Sequence, residues 1–251
     1  MARTILLTGA TGKLGRTFAA HFAACNDRVI AVGRNAERLD AIRAGLGTNA
    51  QFTGLQYDLA QPNAAAELTI ELSRSGIQPE YLINNARNID YLKLPPDGRV
   101  SRENFAGEFL VDVIAPYELT MALAEQPGSK LRGVVNIGSQ YGSVAANTHL
   151  YDDPKTQSPL HYGVAKAALA HLTKELAVRL APRGILVNCV AFGGIEGRVD
   201  DGFKARYARL TPLGRMLTEA EIIGPVDMLL SSSLSGMTGQ IVGVDGGWTL
   251  W

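Results

Sequence analysis

The pattern Tyr-x-x-x-Lys is written twice between positions 150 and 166, in LYDDPKTQSPLHYGVAK. A phenol four residues before an ammonium can work as a proton-transfer device. On a helix the two side chains share one face, and the positive charge favours the phenolate and draws its pKa towards working pH. The second copy meets the helical condition. PLHYGVAKAALAHLTKELAVRLAPRG starts at Pro159 and is apolar at Val164, Ala168, Leu172 and Leu176, so Tyr162 and Lys166 stand one turn apart on a helix. The first copy fails it. In YDDPK, Pro154 and the two aspartates favour a turn, Tyr151 and Lys155 share no helical face, and Asp152 or Asp153 competes for the lysine. Ser139 ends the apolar run RGVVNIGS and offers a hydroxyl to a reacting carbonyl or alcohol. The proton chemistry is assigned to Tyr162 and Lys166, and Tyr151 to a loop expected to cover the substrate.

These groups need a scaffold, and the chain alternates apolar strand-like runs with helical patterns from end to end. Strands are predicted over 4–8, 28–32, 51–57, 81–83, 133–137, 185–190 and 240–244, and helices over 14–24, 37–45, 63–74, 103–124, 161–180 and 219–230. Continuously apolar strands joined by helices imply a doubly wound parallel α/β sheet with right-handed crossovers, here as one domain over 1–251. The longer irregular stretches 87–100 and 143–159 are candidates for functional loops. Hydrophobic residues make up 46% and charged residues 19% of the chain, an ordinary soluble composition. Lys+Arg 24 against Asp+Glu 24 leaves no net charge, which argues against a nucleic-acid or anionic-membrane partner. The opening MARTILLTGA reads as a first strand rather than a secretion signal, and no window is long enough for a membrane span. Cys25 and Cys189 read as buried free thiols without metal-ligand spacing, so no metal is expected and a reducing, cytoplasmic setting is.

The first strand runs into ILLTGATGKLG, with Gly9, Gly12 and Gly15 where a helix opens. Such a loop lets backbone approach a pyrophosphate, whose charge then sits on the helix N-terminus. Thr11, Lys13 and Leu14 complete the loop. At the end of the second strand, VIAVGRN places Gly33 where a ribose-binding carboxylate would mark NAD, followed by Arg34. An arginine there pairs with a 2′-phosphate, and Arg38 one turn later could serve equally. NADP is therefore expected over NAD.

TGATGKLG (8–15), YDL (57–59), NNA (84–86), Ser139, YGVAK (162–166), VNCVAFGG (187–194) and VDGG (244–247) together resemble the short-chain dehydrogenase/reductase family, in its order and across nearly the whole chain. The resemblance implies a single-domain, Rossmann-type fold with seven parallel strands, assembled as a homodimer or homotetramer. It makes Tyr162 the acid/base, Lys166 its support and the holder of the nicotinamide ribose, and Ser139 the group that orients substrate. Asp58 and Leu59 would border the adenine. Asn85, Ala86, Phe192, Gly193 and Ile195 would line the dinucleotide.

Several positions depart from the family pattern. The 9–12–15 glycine spacing resembles the family's longer, sugar-modifying branch, and Arg87 stands where the pattern has glycine. Asp112 takes the place of the helix asparagine of the proton relay. Phe192 replaces a proline, and Gly197 a threonine that meets the carboxamide. The interval from Ser139 to Tyr162 is longer than usual and contains NTHLYDDPKTQ. Arg87, Gln140, Tyr141, His149, Tyr151, Glu196 and Arg198 are expected at a polar cleft mouth, with a helix carrying Phe203, Tyr207 and Met216 closing over it. Trp248 and Trp251 are expected at a subunit interface. IGSQYG, GGIEGRVD, TPLGRM and DGGWTLW resemble a subgroup encoded beside bacterial surface-sugar and flagellin-glycan genes. The expected activity is hydride transfer between NADP(H) and a secondary alcohol or ketone, on a sugar or nucleotide sugar. The alternatives are a generic carbonyl or 3-oxoacyl reductase, and a dinucleotide sensor without turnover.

Overall fold

Seven parallel strands form one sheet in the order β3-β2-β1-β4-β5-β6-β7. They are β1 (Thr4–Thr8), β2 (Arg28–Gly33), β3 (Phe52–Gln56), β4 (Tyr81–Asn84), β5 (Gly133–Ser139), β6 (Leu186–Phe192) and β7 (Ile241–Val244). The computed structural model describes residues 2–197 and 199–251. Side chains alternate between two cores on opposite faces of the sheet. Ile5 and Leu7 join Phe18, Phe22 and Val29 on one face, while Leu6 joins Ile30, Leu68, Leu82 and Leu119 on the other. Ile5, Leu6 and Leu7 are all fully buried, each contributing roughly 1.5–3 kcal/mol of apolar burial. That two-sided burial is why the strands read as unbroken apolar runs.

The helices are α1 (Lys13–Ala24), α2 (Ala36–Gly45), α3 (Ala64–Arg74), α4 (Arg102–Phe109), α5 (Ala115–Glu125), α6 (Pro154–Gln157), α7 (Leu160–Leu180), α8 (Asp201–Leu210) and α9 (Ile223–Leu229). Two predicted helices are corrected. The helix expected over 103–124 is interrupted between α4 and α5 by a π-helical turn, Leu110–Ile114. Pro116 has no N–H for the carbonyl of Asp112, so one regular α-helical hydrogen bond is missing at this point. The helix expected over 219–230 begins later, at Ile223. Pro225 fits only a first helical turn, and Glu221 is spent accepting from the N–H of Thr218 at 2.8 Å.

The strand order reverses between β1 and β4, which opens a crevice at the carboxyl ends of the strands. Over its outer end lie α8 and the 143–159 insertion. The insertion contains α6, a single turn with Pro154 at its start and Asp153 accepting from the N–H of Lys155 at 3.2 Å. Tyr151 precedes that turn, so Tyr151 and Lys155 share no helical face. Arg206 of α8 donates to the Leu150 carbonyl at 2.7 Å and pairs with Asp152 at 2.9 Å, so insertion and helix are docked on each other. Beneath them Leu150, Tyr207, Met216 and Trp248 form a separate small core.

Candidate active site

A cleft of about 1470 Å³ runs along the carboxyl ends of the strands, and one end of it is built from backbone. Gly9 has φ +64, and a Cβ there would lie 2.6 Å from the Cα of Ala86; a Cβ on Gly15 would collide with the Gly9 carbonyl. Only glycine lets β1, the β4 loop and the start of α1 come this close. Helix α1 opens without a side-chain cap and without an acid in its first turn. Its free N–H groups and positive dipole end therefore face the cleft. The loop fits a dinucleotide pyrophosphate. Thr8 Oγ1 accepts from the N–H groups of Asn85 and Ala86 at 2.9 and 3.0 Å, and the Asn85 amide donates to the carbonyls of Thr8 and Gly9. Asn85 lines the cleft chiefly by bracing the glycine loop.

Towards the adenine end, Arg34, Arg38, Asp58 and Leu59 are on the wall. A Cβ on Gly33 would sit 2.9 Å from Thr11 Cγ2, so a carboxylate cannot be placed there without moving Thr11. Asp58 is turned to its own loop and accepts from the N–H of Ala60 at 3.1 Å. Lys13 spans the mouth, donating to the Glu196 carbonyl and pairing with Glu219 at 3.2 Å. A Cβ on Gly197 would lie 2.7 Å from the mobile Lys13 Nζ, so the lysine occupies the space a side chain there would take.

Ser139, Tyr162 and Lys166 line the middle of the cleft together. Ser139 ends β5 and accepts from the N–H of Tyr141 at 3.2 Å. The turn that follows packs tightly on α7, since a Cβ on Gly142 would lie 2.9 Å from the Lys166 carbonyl. A buried ladder fixes α7 against the sheet: Asn84 donates to Asn136 at 2.8 Å, and Asn136 donates to Thr173 at 2.9 Å. Lys166 Nζ donates to the Ile137 carbonyl at 3.0 Å and lies 2.9 Å from Asp112 Oδ2, an ion contact out of line for a directional hydrogen bond. Burial works to strip the Lys166 proton, but the Asp112 charge and Tyr162 outweigh it and hold its pKa above the ordinary value. Tyr162 is flanked by two cations, with the Arg87 guanidinium 4.7 Å and Lys166 Nζ 5.7 Å from its ring centre.

The outer wall is aromatic. Tyr141 and Tyr151 share a hydrogen bond at 2.8 Å, Tyr151 meets Phe203 edge-on, and Tyr207 stacks on Trp248 at 4.6 Å. Burial, with Tyr151 adding to it, pushes the Tyr141 phenol well above its usual range, and burial raises Tyr151 too. Tyr207 accepts from the N–H of Gly194 at 2.7 Å and donates to Gln140 Oε1 at 3.1 Å.

This arrangement, a glycine cradle for a dinucleotide beside a Ser–Tyr–Lys set, is matched by sequence relatives over the whole chain. Residues 9–249 match the family profile described as Enoyl-(Acyl carrier protein) reductase. The chain is 30% identical over 262 residues to an uncharacterised oxidoreductase, YmfI, of Bacillus subtilis, covering 99% of each. The chain belongs to the short-chain dehydrogenase/reductase family. It is also 30% identical, over 98% of its own length, to an uncharacterised dehydrogenase/reductase of Sinorhizobium fredii, of which it spans 43%. A galactitol 2-dehydrogenase of Rhizobium johnstonii is 33% identical over 201 residues, 77% of this chain and 73% of that protein. The crystal structure of a short-chain dehydrogenase of Leptospira borgpetersenii with bound NAD+ superposes with a TM-score of 0.86 at 29% identity, covering 99% of this chain and 93% of that one. The protein is thus a short-chain oxidoreductase acting on CH–OH groups.

Within this family frame, Gly9, Thr11, Gly12, Lys13, Leu14, Gly15, Ala86, Phe192, Gly193 and Ile195 all fall on the cleft wall, as do Arg87, Gln140, Tyr141, Tyr151 and Glu196. Other expectations need correction. Asp112 is 2% exposed and stands behind Lys166 instead of on the wall. His149 is exposed and off the wall, and Arg198 lies outside the described residues. Cys25 is exposed; Cys189 is buried, its thiol pushed up to about 11 by that burial. Trp248 packs inside the chain on Tyr207 rather than waiting for a partner, while Trp251 is exposed. Sequence reasoning missed two buried groups, one next to Tyr162 along α7 and one behind Lys166. One is His161, whose Nε2 faces the Tyr91 carbonyl at 2.8 Å and so carries hydrogen there. The other is Glu108, which a spacing of four before Asp112 in NFAGEFLVD could have flagged.

Proposed function

We propose that the protein moves hydride between NADP(H) and a secondary alcohol or ketone on a polyhydroxylated substrate, a sugar or nucleotide sugar. The observation that carries the reading is the shared cleft of Ser139, Tyr162 and Lys166, with Lys166 pinned by Asp112 and Ile137. The dinucleotide, when bound, supplies or accepts the hydride. Tyr162 gives a proton to the substrate oxygen in reduction and takes it in oxidation, Ser139 holds that oxygen by hydrogen bond, and Lys166 keeps positive charge beside the phenol. Gly33 together with Arg34 and Arg38 favours NADP: the carboxylate that would hold free ribose hydroxyls is absent, and two cations are present. Arg87 adds a cation at the substrate end, suited to an anionic group. The sugar reading also draws on the resemblance to surface-sugar enzymes and on the galactitol 2-dehydrogenase relative. Apolar side chains left exposed on neighbouring helices, Tyr117, Val164 and Val178, favour a dimer or tetramer, which light scattering would check.

The test is turnover of NADPH and NADP+ against a panel of sugars, polyols and nucleotide sugars, with Tyr162→Phe as control. Activity on the panel with a preference for NADP supports the reading; turnover only with NAD overturns the cofactor assignment. A second reading, a 3-oxoacyl reductase, is favoured by the apolar patch of Leu150, Val199, Phe203 and Met216 in the outer wall. A 3-oxoacyl thioester in the same panel separates the two.

A further inference from the structure

Behind Lys166 the protein buries more acid than the ion pair requires. Glu108 is 0% and Asp112 2% exposed, and apart from the Lys166 ammonium beside Asp112 Oδ2 no donor among the described residues meets their carboxylate oxygens. Among the described residues, the only other buried side-chain polar atom so placed is Nδ1 of His161. Glu108 lies in the last turn of α4 and Asp112 in the π-turn that follows, four residues on. The charged groups that act on them are Lys166 of α7 and Arg87 of the loop after β4. The titratable neighbours on the elements packed around them are Tyr162 and His161 of α7 and Tyr91, whose ring a Cβ on Gly107 would meet at 2.6 Å.

Two ionised carboxylates cannot satisfy each other, because both only accept. One proton between them turns an acceptor–acceptor contact into a donor–acceptor pair and removes a buried charge. The surroundings point the same way. Burial and then the Asp112 charge push Glu108 up to about 7, against the opposing pull of Arg87 and Lys166.

We propose that Glu108 and Asp112 hold a single proton between them, and that this carboxyl pair, not Asp112 alone, is the counter-charge that keeps Lys166 an ammonium beside Tyr162. The inference rests on the assignment of Tyr162 as acid/base. Glu108 touches neither substrate nor dinucleotide and is a positioning residue. When its O–H ionises, the proton goes to solvent and the pair carries two charges. The added negative charge then opposes the Tyr162 phenolate, so oxidation at alkaline pH is held back until higher pH.

Two measurements test this. In the wild-type protein with 13C-labelled glutamate carboxyls, NMR should show one carboxyl still protonated at pH 6 and titrating near 7; that signal should vanish in Glu108→Gln. A Glu108 ionised at pH 5.5 overturns the proposal, whatever the enzyme turns over. In the oxidation direction, Glu108→Gln should shift the kcat/KM profile about one unit to lower pH, and Glu108→Asp should restore the wild-type profile. A Glu108→Gln profile superimposed on wild type overturns it as well. Should Glu108→Gln not fold, the wild-type NMR titration decides alone. If Tyr162→Phe retains activity, the acid/base assignment fails while the shared proton still stands or falls on the NMR.

Discussion

Tyr162 sits among charges and Tyr151 among rings. Around the first stand Arg87, Lys166 and, one layer back, the two carboxyls of Asp112 and Glu108. Around the second stand Tyr141 and Phe203, with no cation on its ring among the described residues, and burial holds its proton in place. The same five-residue motif therefore yields a proton carrier at one site and a wall at the other. A tyrosine four residues before a lysine does chemistry only where a helix stacks the pair and a counter-charge holds the lysine.

The largest expected effect is at the charged site. Tyr162→Phe should lower kcat by about 10²–10⁴-fold with the fold intact by circular dichroism; a smaller loss would erase the distinction between the two tyrosines. Next is the acid behind it. Glu108 keeps its proton to about 7 in the folded chain but ionises near 4.5 when unfolded. The native state therefore binds more protons between those values, and stability falls as pH rises across that window. Glu108→Gln should raise stability at pH 8 by at most about 3 kcal/mol and change little at pH 4, as read from denaturant midpoints. Arg87→Met removes the cation over the Tyr162 ring, worth about 0.5–2 kcal/mol, and should lower kcat/KM by up to about thirtyfold, most for anionic substrates. The smallest effect belongs to the aromatic site. Tyr151→Phe loses one hydrogen bond, about 0.5–1.5 kcal/mol, and should change KM or substrate preference severalfold while kcat holds. A kcat collapse in Tyr151→Phe would reverse the assignment.

What could be read in the sequence follows the range of the forces involved. The glycine loop, the apolar strands and the Tyr162–Lys166 turn are local patterns, with periods and spacings visible over a few residues. The ends of the strands were legible to within a residue or two for the same reason. The residues of the outer wall were legible too, but their contacts were not, because Tyr207 meets Gln140 across 67 positions and Arg206 meets Leu150 across 56. Glu108 was hidden differently. A glutamate at a helical position reads as solvent-facing, and only the packing of α4 and α7 around it makes it a buried acid. Asp112 was noticed, but its depth behind Lys166 depends on a turn that breaks helical periodicity.

That turn has a consequence for how the protein can vary. Within Leu110–Ile114 the chain is wound wider than an α-helix, the effect of one additional residue in the turn. Deleting one residue there would restore regular winding and rotate all of α4 by about 100° relative to α5. Glu108 would swing away from Lys166 while every strand kept its register. The spacing of the carboxyl pair is thus an insertion-length trait, open to change by a single codon's loss.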